Sequence, residues 1–409
     1  MSFQTGLSGL NSSAKNLDVI GNNIANSNTV GYKSSRAEFA AIVASSIGPS
    51  GGGGAGGGIG VEVATVSQQF SQGTVNITGN NLDVAINGGG FFQLTLTDGS
   101  PAYTRDGQFK LDQDGNMITN SGASVMGFPT DVNGTPTSTT TSPMVIPAGA
   151  PIPAQVTSEI SAAFNLDARA VIAASAVPPT PYTTYGTSLN AFDPQGVEIP
   201  VRLYFIKTAA DAWDVYDGDP AGVPTPGTNL GALTFDNAGN LLTPAAPAEL
   251  NITLTSSNPN IAPFVVPIDF GSATQYGTAF AVSDLTQDGY TAGTLTGVSI
   301  SEQGVITTRY SNGQSQATGQ LALAEFRNVQ GLKPVGQGNW VETNTSGQPI
   351  QGNPGQGNFG TINSGALESS NVDLTAELVA MMTAQRDYQA NAQTIKTQDT
   401  VLQTLVNLR

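Results

Sequence analysis

NVDLTAELVAMMTAQRDYQANAQTIKTQDTVLQTLVNL, residues 371–408, decides how the chain is read. Leu374, Leu378, Met381, Gln385, Tyr388, Ala392, Ile395, Asp399, Leu402 and Val406 step alternately by four and three. That is the spacing of one face of a helix with a coiled-coil-like repeat. Ser370, three residues ahead of Asp373, is a candidate N-cap with an acid in the first turn. A helix over this span would hold about 38 residues and reach about 57 Å at ~1.5 Å per residue. The other end of the chain carries the same signal in shorter form. Phe3, Leu7, Leu10, Ala14, Leu17 and Ile24 repeat the alternation, with Gly21 in the missing step, and GNNIANSNTVGY (21–32) then ends the helix. Everything between the two reads as β structure, so neither helix has a helical layer to join. The expectation is that they pack on each other and on copies from other chains.

Between the ends, turn pairs come thick: Asn87-Gly88, Asp98-Gly99, Asp114-Gly115, Asn133-Gly134, Asp288-Gly289 and Asn312-Gly313. Short apolar or alternating runs separate them, among them FFQLTLT (91–97), VRLYFIK (201–207) and QLALAEF (320–326). Such spacing predicts hairpins and a sandwich or barrel. The fold class is therefore mainly β with terminal α-helices: discontinuous, nested β domains plus a coiled-coil-like pair of N- and C-terminal helices. Composition shifts near residue 146. Residues 146–284 hold 12 acidic residues against Arg169, Arg202 and Lys207, a net of −9 out of −16 for the chain. We read four parts. Residues 1–32 and 371–409 form the helical part, and 33–72 with 358–370 a connecting segment. Residues 73–145 and 285–357 form an inner β domain, and 146–284 an outer acidic β domain. The tract GPSGGGGAGGGIG (48–60) lacks the Lys and Ser/Thr of a phosphate loop and reads as a flexible connector.

Composition excludes more than it suggests. Charged residues make up 11% of the 409, and there is no His and no Cys. No imidazole base, Ser-His-Asp or Cys-His pair, or zinc site of the usual ligands can form. Fourteen scattered Lys and Arg give no basic stripe for nucleic acid. No run of apolar residues is long enough to insert in a membrane, and the first 30 residues carry no cleavable signal pattern. Asp112-Gln-Asp114-Gly115-Asn116 resembles a calcium loop only in passing, since its glycine is misplaced and the closing Glu is missing. It reads as a hairpin turn. Asp211, Asp214, Asp217 and Asp219 likewise read as turn residues. No catalytic residue, metal ligand or cofactor is assigned.

LDVIGNNIANSNTVGYKSSRAEF (17–39) resembles the N-terminal signature of the bacterial flagellar rod and hook axial proteins, and residues 364–409 resemble the matching C-terminal signature. The motif positions are Asn22, Asn23, Asn26, Gly31, Tyr32, Asn371, Asp373, Gln385, Arg386 and Tyr388. Residues 87–129 and 304–347 are similar to the inner β domain of hook-type members, whereas 146–284 match no motif. Chain length and the spelling GNNIANSNTVGYK favour hook over distal rod. The resemblance implies an extracellular structural subunit, exported through the flagellar type III apparatus without a cleaved signal. Many copies would assemble into the curved hook, the universal joint between rod and filament. Its helices would form the inner tube through Leu7, Leu10, Leu17, Ile24, Leu374, Leu378, Met381, Tyr388, Ile395, Leu402 and Val406. Further partners implied are the distal rod protein, the hook cap protein and the hook–filament junction protein. The alternatives are a distal rod subunit, a secreted β-rich adhesin and a glycosidase built on carboxylates alone.

Overall fold

The computed structural model describes residues 2–43, 58–147, 149, 151–173, 184–220 and 227–407. The chain divides into two compact units, one made of Met1–Gly149, Gly297–Arg309 and Ser315–Arg409, the other of Ala150–Thr296 and Tyr310–Gln314.

In the first unit both terminal stretches are helical, α1 over Ser2–Ala25 and α2 over Leu374–Asn407. Gly21 lies inside α1, and the Asn/Ser-rich stretch ends it as its composition predicts. The start of α2 differs from the expectation. Its cap is Asp373, whose Oδ1 accepts from the backbone N–H of Thr375 at 2.9 Å and of Ala376 at 3.1 Å. A carboxylate is the stronger acceptor at the positive end of a helix. Ser370 instead takes the Val372 N–H at 3.3 Å, ahead of the helix.

The segment read as a connector is a long antiparallel hairpin of β1 (Ser35–Val43) and β2 (Gly58–Gln68). Gly58–Gly60 of the glycine tract belong to β2, and the rest of the tract lies outside the described residues. A two-stranded hairpin is marginal alone, and this one leans on α1. The Ser8 hydroxyl accepts from Val61 N at 3.2 Å, and Ser12 donates to Val61 O at 3.5 Å. Gly60, at φ +148°, makes the approach possible, because a Cβ there would lie 2.2 Å from Ser8 Oγ.

The β body of this unit interleaves chain from before and after the second unit. Leu94 pairs with Val125, Phe128 with Gln320, and Tyr103 with Trp340. The run 320–326 is two strands, since Leu321 pairs with Gly127 while Leu323 pairs with Phe92. Its core is aromatic: Phe91, Tyr103, Phe326 and Trp340 are buried, with Phe91–Trp340 centroids 5.7 Å apart and Tyr103–Phe326 4.7 Å apart in edge-on contact. The Asp112 loop is a turn, its carboxylate accepting from the N–H of Asp114 and Asn116.

The second unit is a sandwich. A meander of Tyr185–Phe192, Glu198–Ala209, Ala212–Tyr216, Asn229–Phe235 and Leu241–Thr243 forms one sheet, and Ile160–Asp167 is the central strand of the other. Leu203, Phe205, Trp213 and Val215 of the first meet Ile160, Phe164, Val266 and Ile268 of the second in one core.

Candidate assembly interface

α1 and α2 pack antiparallel, with Asn23 beside Glu377, Ser13 beside Asn391 and Gly6 beside Ile395. The α1 residues of these pairs are small or polar. A Cβ on Gly6 would stand 3.2 Å from Ile395 Cγ1, and one on Gly9 would stand 2.9 Å from Asn391 Oδ1. Glycine at both positions lets the backbones approach. Ala384, Met381, Ala392 and Ile395 supply the α2 side of the contact face, Ala384 being fully buried and the others half-buried. One flank of the pair is a groove lined by Gly9 and Ser12 of α1, Asp387 and Asn391 of α2, and Phe39 and Val61 of the hairpin.

The leucine stripes lie on the opposite flank. At about 100° per residue, Leu7, Leu10, Leu17 and Ile24 turn away from Ser8 and Ser12, which meet the hairpin. Leu374 and Leu378 likewise turn away from Asp387 and Asn391. Leu7 is 45% exposed, Leu374 47%, Leu378 46% and Tyr388 37%. Leu10, Leu17 and Ile24 are half-buried. Val379, Met382 and Val401 add further exposed apolar surface on α2. The two stripes lie on one side of the helix pair, where among the described residues Leu7, Leu374, Leu378 and Tyr388 stay exposed and Leu10, Leu17 and Ile24 are partly covered. For Leu402 and Val406 only the helical backbone is described.

The remaining motif residues build the root of the pair. Asn23, buried, donates to Ser35 O at 2.8 Å and to Glu377 Oε1 at 2.9 Å, and accepts from Ser35 N at 2.8 Å. The Tyr32 hydroxyl donates to Asn22 and Asn23, and burial raises its pKa. Asn26 closes the end of α1 onto Asn22 O at 2.9 Å. Asn371 takes Ser34 N at 2.7 Å and donates to Gln69 O at 2.7 Å. Gly31 sits at φ +68°, where a Cβ would lie 2.7 Å from the Arg105 carbonyl carbon, so only glycine fits. Gln385 and Arg386 are exposed on α2.

Sequence reasoning missed the centre of this root. Glu368, buried, accepts from Lys33 Nζ at 2.6 Å, from Gly73 N at 2.9 Å and from Arg105 Nη1 at 3.0 Å. Lys33 also donates to Ser71 O at 2.8 Å, and Arg105 to Gly88 O at 2.8 Å while lying over the Phe91 ring. Burial pulls the pKa of both cations down, and Glu368 opposes that shift. In the sequence the three charges stand far apart, Arg105 already has Asp106 beside it, and nothing links them to one another. Among the described residues no group of His, Cys, Asp or Glu is arranged to hold a metal ion.

Family models match along most of the chain. Residues 3–33 match "Flagella basal body rod protein" and residues 85–163 "Flagellar hook protein FlgE/F/G D1 domain". Residues 165–290 match "Flagellar basal body protein FlaE D2 domain", and residues 363–408 "Flagellar basal body rod FlgEFG protein C-terminal". The flagellar hook protein FlgE of Escherichia coli is 41% identical over 419 aligned residues, covering 100% of both chains. The chain belongs to the flagellar hook protein family. The hook protein FlgE of Treponema pallidum is 34% identical, covering 100% of this chain and 99% of that one. A crystal structure of Helicobacter pylori flagellar hook protein FlgE2 shares the fold at a TM-score of 0.54 and 16% identity, over 72% of this chain and 100% of that one. As a hook-family chain this is a structural subunit of the flagellar hook, which sets aside the adhesin, the glycosidase and the rod subunit. Segment 146–284, unmatched by motif reading, largely coincides with the FlaE D2 match. No described helix is long and apolar enough to cross a membrane.

Proposed function

We propose that the subunit polymerises into the hook through the apolar face made by Leu7, Leu10, Leu17 and Ile24 of α1 with Leu374, Leu378 and Tyr388 of α2. The observation that carries this is the mismatch between the two flanks of the helix pair. One is small, polar and met by the hairpin; the other is a double leucine stripe on which Leu7, Leu374, Leu378 and Tyr388 remain exposed among the described residues. Exposed apolar surface of this kind marks a protein contact. Copies related by the helical symmetry of a tube cover each other's stripe, and the terminal helices line the tube. The β body of the first unit, joined to the helices through 33–72 and 358–370, and the acidic second unit, which includes residues 285–296, both lie outside the tube. The polymer carries torque from rod to filament as a flexible joint. Export through the flagellar type III apparatus without a cleaved signal, and contacts with the distal rod, hook cap and hook–filament junction proteins, complete the reading. It involves no catalysis and no cofactor.

The test is polymerisation of the double variant Leu374→Ala/Leu378→Ala, followed by sedimentation and electron microscopy. Both side chains are about half-exposed in the protomer, so the monomer should keep its circular dichroism and melting temperature. Polymers should be short or absent. Full-length polymers at the wild-type concentration would show that the stripe faces solvent.

A further inference from the structure

The cluster at the root of the helix pair places two cations on one carboxylate. Lys33 and Glu368 are each 1% exposed and Arg105 5%. Lys33 follows α1 by eight residues, Glu368 precedes α2 by six, and Arg105 belongs to the β body. The cluster therefore joins both helix roots to the body at one point. Backbone bonds reinforce it, with Gly31 N donating to Glu368 O at 2.8 Å and Ser369 N to Thr74 O at 2.8 Å.

As a source of stability this is a poor arrangement. Removing ions from water costs about what their attraction returns, and well-packed apolar replacements of a buried ionic cluster are often as stable or more so. Here a surplus positive charge is buried, and Arg105 Nε has no hydrogen-bond partner. What the cluster does provide is direction. Lys33 is fixed between Glu368 and the Ser71 carbonyl, Arg105 between Glu368 and the Gly88 carbonyl, and Glu368 is also held by the Gly73 amide.

We infer that Glu368 is a positioning residue for polymerisation. By gripping Lys33 and Arg105 it sets the angle at which α1 and α2 leave the β body, and so the attitude at which the leucine face meets the next copy. This rests on the leucine face being the polymer contact.

The experiment compares three full-length variants for fold and for the protein concentration at which polymers form. Lys33→Met leaves Arg105 and Glu368 as a neutral pair. The triple variant Lys33→Met/Arg105→Met/Glu368→Leu removes every charge at similar volume. Leu374→Ala/Leu378→Ala tests the face itself. We expect Lys33→Met and the triple variant to keep near-UV circular dichroism and a wild-type melting temperature, while needing roughly ten times more protein to polymerise, a change worth ~1.4 kcal/mol per subunit. Their polymers should vary in diameter. Wild-type polymerisation by both, with the leucine double variant failing, would overturn the positioning role and leave the face intact. Wild-type polymerisation by the leucine double variant would instead overturn the face. Unfolding of both Lys33→Met and the triple variant would show that the cluster holds the fold together rather than aiming the helices, and would also overturn the inference.

Discussion

Gly21→Ala should affect the free subunit and the polymer in opposite directions. Gly21 lies inside α1, in the stripe between Leu17 and Ile24, and a Cβ built on it has no atom within 4 Å. Alanine in a helix interior is favoured over glycine by about 1 kcal/mol, so the helix–coil equilibrium of α1 should shift roughly fivefold toward helix in the free subunit. Far-UV circular dichroism should show its helices melting later. In the polymer the same methyl enters the contact between copies. Adding a methylene-sized group to a close-packed contact costs about 1–3 kcal/mol, which outweighs the gain in helix propensity over most of that range. The concentration needed for polymerisation, read by sedimentation, should rise severalfold even though the free helix is more stable. Gly9→Ala provides the contrast. Its Cβ would stand 2.9 Å from Asn391 Oδ1, so it should loosen α1 from α2 and lower helical melting in the free subunit too. A Gly21→Ala variant that polymerises at or below the wild-type concentration would refute the placement of this stripe at the contact.

Leu402→Ala should shorten polymers while leaving the β units folded, and a loss of ~2–5 kcal/mol per subunit applies if the site is fully buried there; unchanged polymer length by electron microscopy would count against it. Trypsin and chymotrypsin acting on dilute monomer should trim α1 and the outer part of α2 but stop near residues 31–35 and 368–371, where the root is bonded, and mass spectrometry of the core decides this. The carboxylates of Asp112, Asp131 and Asp236 are held below the usual range by hydrogen bonds from Asn116, Thr135 and Asn240. Their unfolded value is about 3.9, so their contribution is full above that pH and is lost as pH falls through the lower folded values. Melting temperature should therefore drop progressively below about pH 4, and a flat profile would show the turns contribute nothing. Polymer curvature should respond to salt, because residues 146–284 carry a net −9 and screening acts within ~8–10 Å at physiological ionic strength; curvature unchanged from low to high salt removes that charge from the account.

Both helices were legible in the sequence, because leucine spacing survives any later packing. Which face of each helix would be covered was not. Gly6 and Gly9 carry no apolar signal, yet they form close contacts with α2 because they are small. The α2 cap moved from Ser370 to Asp373 because two acceptors lay within one turn, and their order of strength is settled by geometry. The hairpin of β1 and β2 was hidden by the glycine tract, which drew the eye to flexibility although SRAEFAAIV and GIGVEVATVSQ on either side pair along their whole length, with a shift of register at Glu38/Phe39 and another at Ile42/Val43. Of the root, Gly31, Tyr32 and Asn371 were visible only through resemblance to a family. Lys33 and Glu368 lay inside the two signatures without being singled out, and Arg105 lay outside them. A lone charge normally reads as solvated, and nothing local tells residue 33 that its counter-ion lies at residue 368.

That separation has a consequence for how the molecule comes into being. A chain made or delivered from its first residue presents α1 and Lys33 early, with neither the helix nor the carboxylate that completes them. Closing a loop of several hundred residues costs chain entropy that grows only slowly with length, so the join is affordable, but it cannot form until residue 368 has arrived. Prematurely terminated chains carry a stripe of leucines without the second helix that completes the face. On the proposed reading the last forty residues would act as a certificate of completeness, and a chain that lacks them should not join the polymer.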